Sequence, residues 1–544
     1  MQRRIENRGA RVAILGLLIV AAVACSGLSR LGGDVRGSDG ITQSSLRARL
    51  TIIAADSMQG REARSVGHAK TVQYLVSELT RMGLRPGGDG GTYTQTFYIH
   101  SRQLDPKSFL VIGVDTLRPE RDFKAFTPGR GRLRSIGGAS VVYGGIVGDS
   151  ATQISSAEAA GRVVLLGVPP TMNASRAYQN VVYECSSRLG TAVAVLIASL
   201  DVLPVSRRVS APTIQLADSN EPPASLRPTT LLVTKEAAVR LLGRTLEGAP
   251  RGLPGRLVQG RLTVIDSTLP TQNVVAVLPG SDPTLRQQYV VLGAHSDHLP
   301  PAVTAVDHDA VRALPPGQMV GAPRRSTVAA SEVATLAPRR DSIYNGADDD
   351  GSGVVALLEV AQAMQRSRTK HGRTTVFVWH SAEESNEMGS EWFLTHPLVP
   401  VDSIFVMLNL DMVGRGTADD RVGGGPAYLQ VFGATRRSPV LLGIVQKVNG
   451  ASSLAASIDT LDTESAFCRS DQWPFARRGV PVAFFTTGSH RDYHKVTDEV
   501  QYIDFAKLRL VARLTLAVAT ELTNTTVRLE PPGPRPLLSS FCGS

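Results

Sequence analysis

The sequence predicts an α/β fold, in which a three-layer α/β/α unit with a mostly parallel mixed sheet carries a small β-rich insert. From residue 272 onward, apolar runs typical of strands alternate with stretches of helical periodicity, and this alternation favours a parallel sheet covered on both faces. Residues 129–258 instead hold short strands of small and β-branched residues around one helix-like stretch. At 544 residues, the chain also exceeds what a single core usually holds.

Apolar residues that recur every three or four positions predict the main helices. The predicted helices span residues 68–82, 351–364, 389–395, 438–448 and 505–522. Gly83 is a typical residue for ending the first of them. The predicted boundaries are a signal peptide at 1–24, a tether at 25–43, a main domain at 44–128 and 259–527, an insert domain at 129–258 and a C-terminal tail at 528–544.

The N-terminus is typical of an exported protein. A basic start is followed by an apolar run at residues 12–24, which is shorter than the roughly 20 residues that span a bilayer and fits a secretory signal peptide. The sequence Ala22-Val23-Ala24-Cys25 resembles a lipobox. We therefore expect a periplasmic or extracellular protein. Lipidation of Cys25, simple cleavage and a retained anchoring helix are the alternatives, and a lipid anchor would be its contact with the membrane.

The composition argues against a nucleic-acid partner. The formal charge is +10, but the arginines are scattered and aromatic residues make up 5% of the chain, whereas a nucleic-acid surface needs clustered basic residues with aromatic platforms. After Cys25, the cysteines Cys185, Cys468 and Cys542 allow one disulfide, and the sequence leaves its pairing open.

Polar residues suited to metal binding fall at or just beyond five predicted strand ends or turns. These positions are His295 and Asp297, the acidic turn at 348–350, Glu383 and Glu384, Asp411, and His494. Each alone is a weak signal, because a lone Asp is more often a helix cap and paired Glu residues are more often a solvated face. The carboxyl ends of parallel strands meet at one edge of a sheet, and two histidines with several carboxylates suit a zinc-type site.

The same motifs resemble a known family. In order, HSD, GADDDGSG, AEES, NLDMVG and YHKVTDE are similar to the motifs of the co-catalytic zinc exopeptidases of clan MH, metallopeptidase family twenty-eight. Residues 129–258 resemble, in pattern and order, the protease-associated domain inserted in several members. The resemblance implies a peptidase acting on peptides, most simply an aminopeptidase. A carboxypeptidase or glutaminyl cyclase on the same scaffold, and a catalytically silent binding protein, are the alternatives.

The family resemblance also implies a ligand set for two zinc ions. Asp349 would bridge both ions, His295 and Asp411 would complete one site, and Glu384 and His494 would complete the other. The peptide bond after Asp349 is cis in some members.

Three further residues receive catalytic roles from the resemblance. Asp297 would orient the imidazole of His295, Glu383 would be the general base, and Tyr493 would support the oxyanion. A non-ligand carboxylate beside two metals can take a proton from their shared water and return it to the leaving amine.

Some features depart from the family pattern or stay secondary. Ser385-Asn386-Glu387 follows Glu384 where the family commonly has a Gly-Leu pair, and Gln472 stands where it often has His. Residues 299–343 form an unusually long connection, either a disordered surface loop or a flap at the substrate entrance. Nearby residues are predicted not to be ligands: His298, His380 and His490, with Asp348, Asp350 and Asp498 as turn formers or supporting groups.

Overall fold

The structure, a computed structural model, describes most of the chain between residues 40 and 529. The described ranges are 40–126, 135–149, 151–169, 188–203, 208, 212–217, 228–312, 339–416, 424–434, 438–451, 454–462 and 466–529. The predicted signal peptide, most of the tether and most of the tail lie outside them. Within these ranges, no helix combines the length and the apolar character needed to cross a membrane.

The strands fall into two large sheets and one two-stranded sheet, β14 with β15. They are β1 Arg85–Pro86, β2 Thr94–Leu104, β3 Phe109–Ile112, β4 Asp115–Leu117, β5 Phe123–Phe126, β6 Ala139–Ile146, β7 Val163–Gly167, β8 Ala194–Ile197, β9 Thr213–Leu216, β10 Thr229–Val233, β11 Pro254–Arg261, β12 Val264–Leu278, β13 Tyr289–His295, β14 Val306–Asp307, β15 Arg340–Asp341, β16 Thr374–His380, β17 Ile404–Leu410, β18 Tyr428–Phe432, β19 Ser457–Asp459 and β20 Val482–Thr486.

The predicted helices are found within a few residues of their expected bounds. The α-helices of the described residues are Gln43–Ile53, Val66–Met82, Ser156–Ala159, Lys235–Leu242, His308–Arg312, Gly351–Arg366, Met388–Thr395, Pro439–Ala451, Gln472–Arg477 and Phe505–Asn524. Ser65 caps the helix Val66–Met82 by accepting a hydrogen bond from the N–H of His68, and Gly83 ends it in the left-handed region at φ 72°.

The main sheet has a parallel centre with antiparallel flanks. Among the described residues its strand order is β19-β18-β20-β17-β13-β16-β12-β2-β9, and β1 pairs with β12. The neighbours β16, β13, β17 and β20 are parallel. The flanking strands β12 and β18 run antiparallel to them. The carboxyl ends of the central strands therefore open on one edge.

Helices cover both faces of this sheet, as predicted for three layers. On β13, Val290 and Leu292 are buried with the helices Gly351–Arg366 and Phe505–Asn524, whereas Val291 is buried on the other face with Phe393 and Phe475 of two shorter helices. A strand buried on both faces reads as a continuous apolar run, which is why this segment could be recognised in the sequence.

The second sheet holds the β-rich part of the chain. Its order among the described residues is β4-β3-β11-β6-β7-β8-β10-β5. Strands β3, β4 and β5 belong to it although they precede residue 129, so this sheet begins earlier than the predicted insert boundary. The helix Lys235–Leu242 covers one face through Leu241.

The two sheets are joined by a long antiparallel ribbon. Strands β2 and β12 pair from Val264 opposite Leu104 to Val274 opposite Thr94. On β12, the half of this ribbon nearer the second sheet is solvent-accessible, and Leu269 in it is 43% exposed. Strand β9, within the predicted insert, returns to pair with β2 in the main sheet.

Replacing Leu292 with Ala should lower the free energy of unfolding by about 2–5 kcal/mol, because it removes a fully buried side chain and leaves a cavity. Leu269→Ala is the matched control and should cost less than about 1 kcal/mol, since the side chain is already partly solvated. Urea unfolding followed by circular dichroism measures both variants. Equal midpoints for the two would contradict the assigned core.

Candidate metal and catalytic site

The carboxyl ends of the central strands bring the predicted residues together. Strand β13 ends at His295, which lies opposite His380 at the end of β16. Glu383 and Glu384 begin a 3-10 turn directly after β16, and Asp411 follows the last residue of β17. Parallel pairing thus collects residues that lie far apart in the sequence.

The acidic turn at 348–350 is held by its own side chains. Asp350 caps the helix Gly351–Arg366 by accepting from the N–H of Gly353 at 2.9 Å. It also accepts from the N–H of His295 at 3.0 Å and of Met412 at 3.2 Å. The peptide bond between Asp349 and Asp350 is cis. Asp350 therefore joins the turn to β13 and β17 and leaves Asp349 free to face the site.

Two more carboxylates support the turn. Asp498 accepts from the N–H groups of Asp348 and Asp349, each at 3.0 Å, and Asp348 accepts from the N–H of Gly414 at 2.7 Å. Asp498, predicted to be a turn former or supporting group, thus holds the backbone of the acidic turn with its carboxylate. These carboxylates support the acidic turn and belong to neither of the two sets of metal-type donors described below.

Arg61 is a supporting residue that the sequence did not reveal. Its side chain is fully buried, and it donates to the carbonyl oxygens of Asn345 at 2.5 Å and Gly346 at 3.0 Å, and to that of Ser296 at 3.3 Å. Arg61 lies in a polar turn between two helices, where an arginine carries no signal for burial. Its positive charge interacts with the carboxylates of Asp349 and Asp297.

The first group of metal-type donors contains His298, Asp349, Glu384 and His494, with one donor atom of each within 4.8 Å of the others. His494 Nε2 lies 3.1 Å from Asp349 Oδ2 and 3.1 Å from Glu384 Oε2. His298 Nδ1 lies 2.8 Å from Glu384 Oε1 and 3.7 Å from Asp349 Oδ2. His298 therefore joins the donor group from which the sequence prediction left it out.

The second group contains His295, Asp349 and Asp411. His295 Nε2 lies 3.2 Å from Asp349 Oδ1 and 3.5 Å from Asp411 Oδ1. Asp349 thus points one carboxylate oxygen at each group. All five residues of the ligand set implied by the family resemblance belong to one or both of these donor groups.

The chemistry of these donors fits a divalent ion of the zinc type. His295 Nε2, Asp349 Oδ2 and Asp411 Oδ1 are buried and make no hydrogen bond, although His295 Nε2 lies 3.5 Å from Asp411 Oδ1 and Asp349 Oδ2 lies 3.1 Å from His494 Nε2. Zinc–ligand lengths of about 2.0–2.2 Å in a tetrahedron place neighbouring ligand atoms about 3.3–3.6 Å apart. The observed separations of 3.1–3.5 Å lie close to this range, so these donors are near enough to share a cation.

Glu383 lies beside the second group and has a different environment from Glu384. Its Oε2 is 3.8 Å from His295 Nε2. Burial raises the pKa of Glu383 well above its usual range, and although His295 opposes the shift, the charges of Asp411 and Glu384 add to it. The pKa of Glu384 is instead lowered, because its hydrogen bonds to His298 and His494 outweigh burial and Asp349.

Asp297 supports both His295 and Glu383. The carbonyl oxygen of Asp297 lies 3.1 Å from His295 Nδ1, while its carboxylate oxygen lies 3.8 Å away. That carboxylate accepts from the N–H of Glu383 at 3.1 Å. The orientation of the imidazole thus comes chiefly from the backbone of Asp297, and the side chain positions the turn that carries Glu383.

Tyr493 closes a small cavity of about 50 Å³ over the site, whose lining includes Asp349, Glu383 and Asp411. Its ring stacks on His494 with centroids 3.9 Å apart, and its hydroxyl accepts from Arg469 Nη2 at 3.3 Å. Burial, followed by the charges of Asp349 and Glu384, raises the pKa of Tyr493. The phenol therefore stays protonated and can donate a hydrogen bond into the cavity.

Two of the histidines predicted not to be ligands lie outside both donor groups. His380 is buried near Phe393 and Phe475, and burial, with the charge of His295, lowers its pKa to about 3. His490 Nε2 lies 3.2 Å from Asp348 Oδ2 and supports the acidic turn.

The departures from the family pattern lie in supporting positions. Gln472 is buried, accepts from Asn409 Nδ2 at 2.8 Å and donates to the carbonyl of Phe467 at 2.7 Å. Asn386 and Glu387 both have positive φ, at 65° and 50°. Asn tolerates this region well, and burial raises the pKa of the half-buried Glu387 to about 7.

The described ends of the long 299–343 connection pack against the loop that carries His494. The short helix His308–Arg312 places Arg312 against the carboxylate of Asp492 and 3.4 Å from the ring centroid of Tyr502. His308 Nε2 contacts Glu499 at 2.9 Å. The choice between a surface loop and a flap falls on residues 313–338, outside the described residues.

Comparison with known proteins shows which family this chain resembles. A model of peptidase family M28 matches residues 273–519. Leucine aminopeptidase 1 of Penicillium rubens is 30% identical over 191 residues, which cover 32% of this chain and 47% of that protein. Leucine aminopeptidase 1 of Aspergillus oryzae is 29% identical over 185 residues, covering 32% and 46%. The chain thus spans about half the length of the curated relatives it matches.

Solved structures show the same fold over most of the chain. A zinc aminopeptidase from Bacillus subtilis superposes with a TM-score of 0.51 at 15% identity, covering 90% of this chain and 98% of that one. An aminopeptidase from Aneurinibacillus sp. strain AM-1 superposes with a TM-score of 0.50 at 16% identity, covering 91% and 96%. The predicted α/β fold class is confirmed.

Asp297→Asn should lower zinc affinity by about 10–100-fold, because it removes a buried negative charge 3.8 Å from the ring of His295 and leaves a weaker, neutral acceptor for the N–H of Glu383. Competition with a chromogenic chelator measures the affinity. Asp402→Asn, at an exposed position after Val401, is the control and should leave the affinity unchanged. An unaltered affinity in Asp297→Asn would remove this carboxylate from the support of the site.

Proposed function

Residues 273–519 match the model of peptidase family M28, and on that premise we propose that the chain is a zinc-dependent aminopeptidase that removes N-terminal residues from peptides. One observation carries the proposal. The two donor groups share Asp349, and an uncommitted carboxylate, Glu383, lies 3.8 Å from His295 at their edge. The aminopeptidase names of the relatives support this direction of cleavage.

In this proposal the chain holds two zinc ions. His295 and Asp411 would hold one, Glu384 and His494 would hold the other, and Asp349 would bridge them. His298 reaches the second of these groups and is a further candidate donor. When bound, such a pair lowers the pKa of a shared water and polarises the scissile carbonyl.

Glu383 is the proposed general base. Its carboxylate would take a proton as the water oxygen forms a bond to the carbonyl carbon, and would return that proton to the amine nitrogen as the carbon–nitrogen bond breaks. Tyr493, kept protonated in the cavity, would donate a hydrogen bond to the developing oxyanion.

The zinc-loaded protein should release free leucine from leucyl peptides that have a free amino group and should leave their N-acetylated forms intact. Quantifying the amino acids released over time measures this. Release of the C-terminal residue from acetylated peptides would instead indicate a carboxypeptidase. Loss of ammonia from peptides with N-terminal glutamine would indicate a cyclase, and no turnover of any of these would favour a binding protein.

Glu383→Gln should retain two zinc equivalents while losing at least about 100-fold in kcat, because the amide cannot accept the proton. Elemental analysis and the leucine-release assay measure the two quantities. Glu236→Gln is the control, on the helix Lys235–Leu242 that covers the second sheet, where the side chain is 83% exposed, and this variant should match the unaltered protein. Unchanged turnover would remove Glu383 from the base role, and a single zinc equivalent would argue against the paired site.

A further inference from the structure

Arg469 gives the cavity over the site a cationic wall. The cavity is lined by residues of both donor groups, by Tyr493 and by small or apolar residues such as Ala466 and Gly488. Among the described residues that line it, Arg469 is the one lysine or arginine. The proton transfers assigned to Glu383 do not require Arg469, so this positively charged side chain has no role in the proposed reaction so far.

The guanidinium of Arg469 has donors to spare. Its described hydrogen bond, from Nη2 to the hydroxyl of Tyr493 at 3.3 Å, uses one of five N–H groups. No carboxylate of the described residues forms an ion pair with it, although arginines elsewhere in the chain, such as Arg478, are paired. The residue is exposed, so its remaining donors are available to a molecule that enters the cavity.

The backbone holds Arg469 in place. Its N–H donates to the carbonyl of Ala466 at 3.0 Å, and the preceding residue, Cys468, is disulfide-bonded. The residues after it, Ser470 and Asp471, are buried. The side chain is thus presented from a fixed turn and not from a free loop.

The distance from Arg469 to the reacting carbonyl sets what it can bind. If the Tyr493 hydroxyl supports the oxyanion, Arg469 lies one hydrogen bond beyond it. One extended residue covers about 3.3–3.6 Å, so the guanidinium can reach the carboxylate of the residue that follows the cleaved bond. An arginine fork suits a carboxylate because both oxygens can accept at once.

We propose that Arg469 binds the free C-terminal carboxylate of dipeptide substrates and so makes this site selective for dipeptides. The inference rests on the proposed aminopeptidase function. In a longer peptide the same position is taken by a neutral peptide group, which forms a weaker hydrogen bond with a guanidinium. Dipeptides therefore gain an interaction that longer or amidated substrates lack.

The test compares leucyl-glycine with leucyl-glycinamide, which differ in the C-terminal carboxylate alone. In the zinc-loaded protein, kcat/KM should favour the free acid by about tenfold or more. Arg469→Gln should lower kcat/KM for the free acid by about 10–100-fold, mainly through KM, and should change that for the amide less than about threefold. Arg469→Lys should keep part of the preference, since the charge remains without the fork.

Arg286→Gln is the matched control. Arg286 is also exposed, but it lies before β13 at the opposite edge of the sheet, so its replacement should leave both rates unchanged. An equal loss on both substrates in Arg469→Gln would overturn the proposal, because it would place Arg469 in support of Tyr493. Leucyl-aspartamide carries a carboxylate on its side chain and an amide at its C-terminus. If the protein cleaved it as efficiently as leucyl-glycine, a C-terminal carboxylate would not be required, and the proposal would be overturned.

Binding without turnover gives a second readout. In a Glu383→Gln background, calorimetric titration with leucyl-glycine should show about tenfold or more weaker binding when Arg469→Gln is added, with leucyl-glycinamide unaffected. If the parent protein cleaves neither peptide, the proposed function fails and this inference fails with it. If it cleaves both equally well, the proposed function stands and the dipeptide selectivity is refuted.

Discussion

The fixed position of one carboxylate, that of Asp349, governs the arrangement of the site, because both donor groups include it. The backbone around it is held from three sides. Asp498 accepts its N–H, and Arg61 donates to its carbonyl oxygen and to that of Gly346. Asp350 caps the following helix and also accepts from the N–H of His295. A displaced Asp349 would open both groups at once. The supporting contacts therefore have as much influence on the chemistry as the donors themselves.

The site also concentrates negative charge in a place that water reaches poorly. The carboxylates of Glu383, Asp349 and Asp411 lie 3.2–3.8 Å from the imidazole of His295, and that of Glu384 lies 3.1 Å from the imidazole of His494. Burying such groups is costly unless they are paired. The positive charges of Arg61 and of protonated histidines offset part of this desolvation cost, and a divalent cation would offset the rest. Occupation of the site and stability of this edge of the sheet are thus linked, as expected for a ligand that binds the folded state.

The sequence predicted the strand-end residues because they end or follow apolar runs: His295 is the last residue of β13, and Asp411 follows β17. Such runs mark strands buried on both faces, and parallel pairing then brings their ends together. His298 escaped prediction since it lies beyond the strand, in a loop whose direction no local pattern fixes. Arg61 escaped it because burial of an arginine depends on distant carbonyl groups. The early start of the second sheet, before residue 129, depends on pairing between β3 and β11, which short strands do not specify.

The ribbon formed by β2 and β12 makes the second sheet an interchangeable attachment. Leu104 and Val264 are directly opposed where the chain leaves and re-enters the main unit, so a tight turn between them could replace everything in between. The central strands that carry the site would keep their order, and the main sheet would lose only its edge strand β9. A chain built this way can gain, lose or exchange its appended part while its chemistry stays where it is.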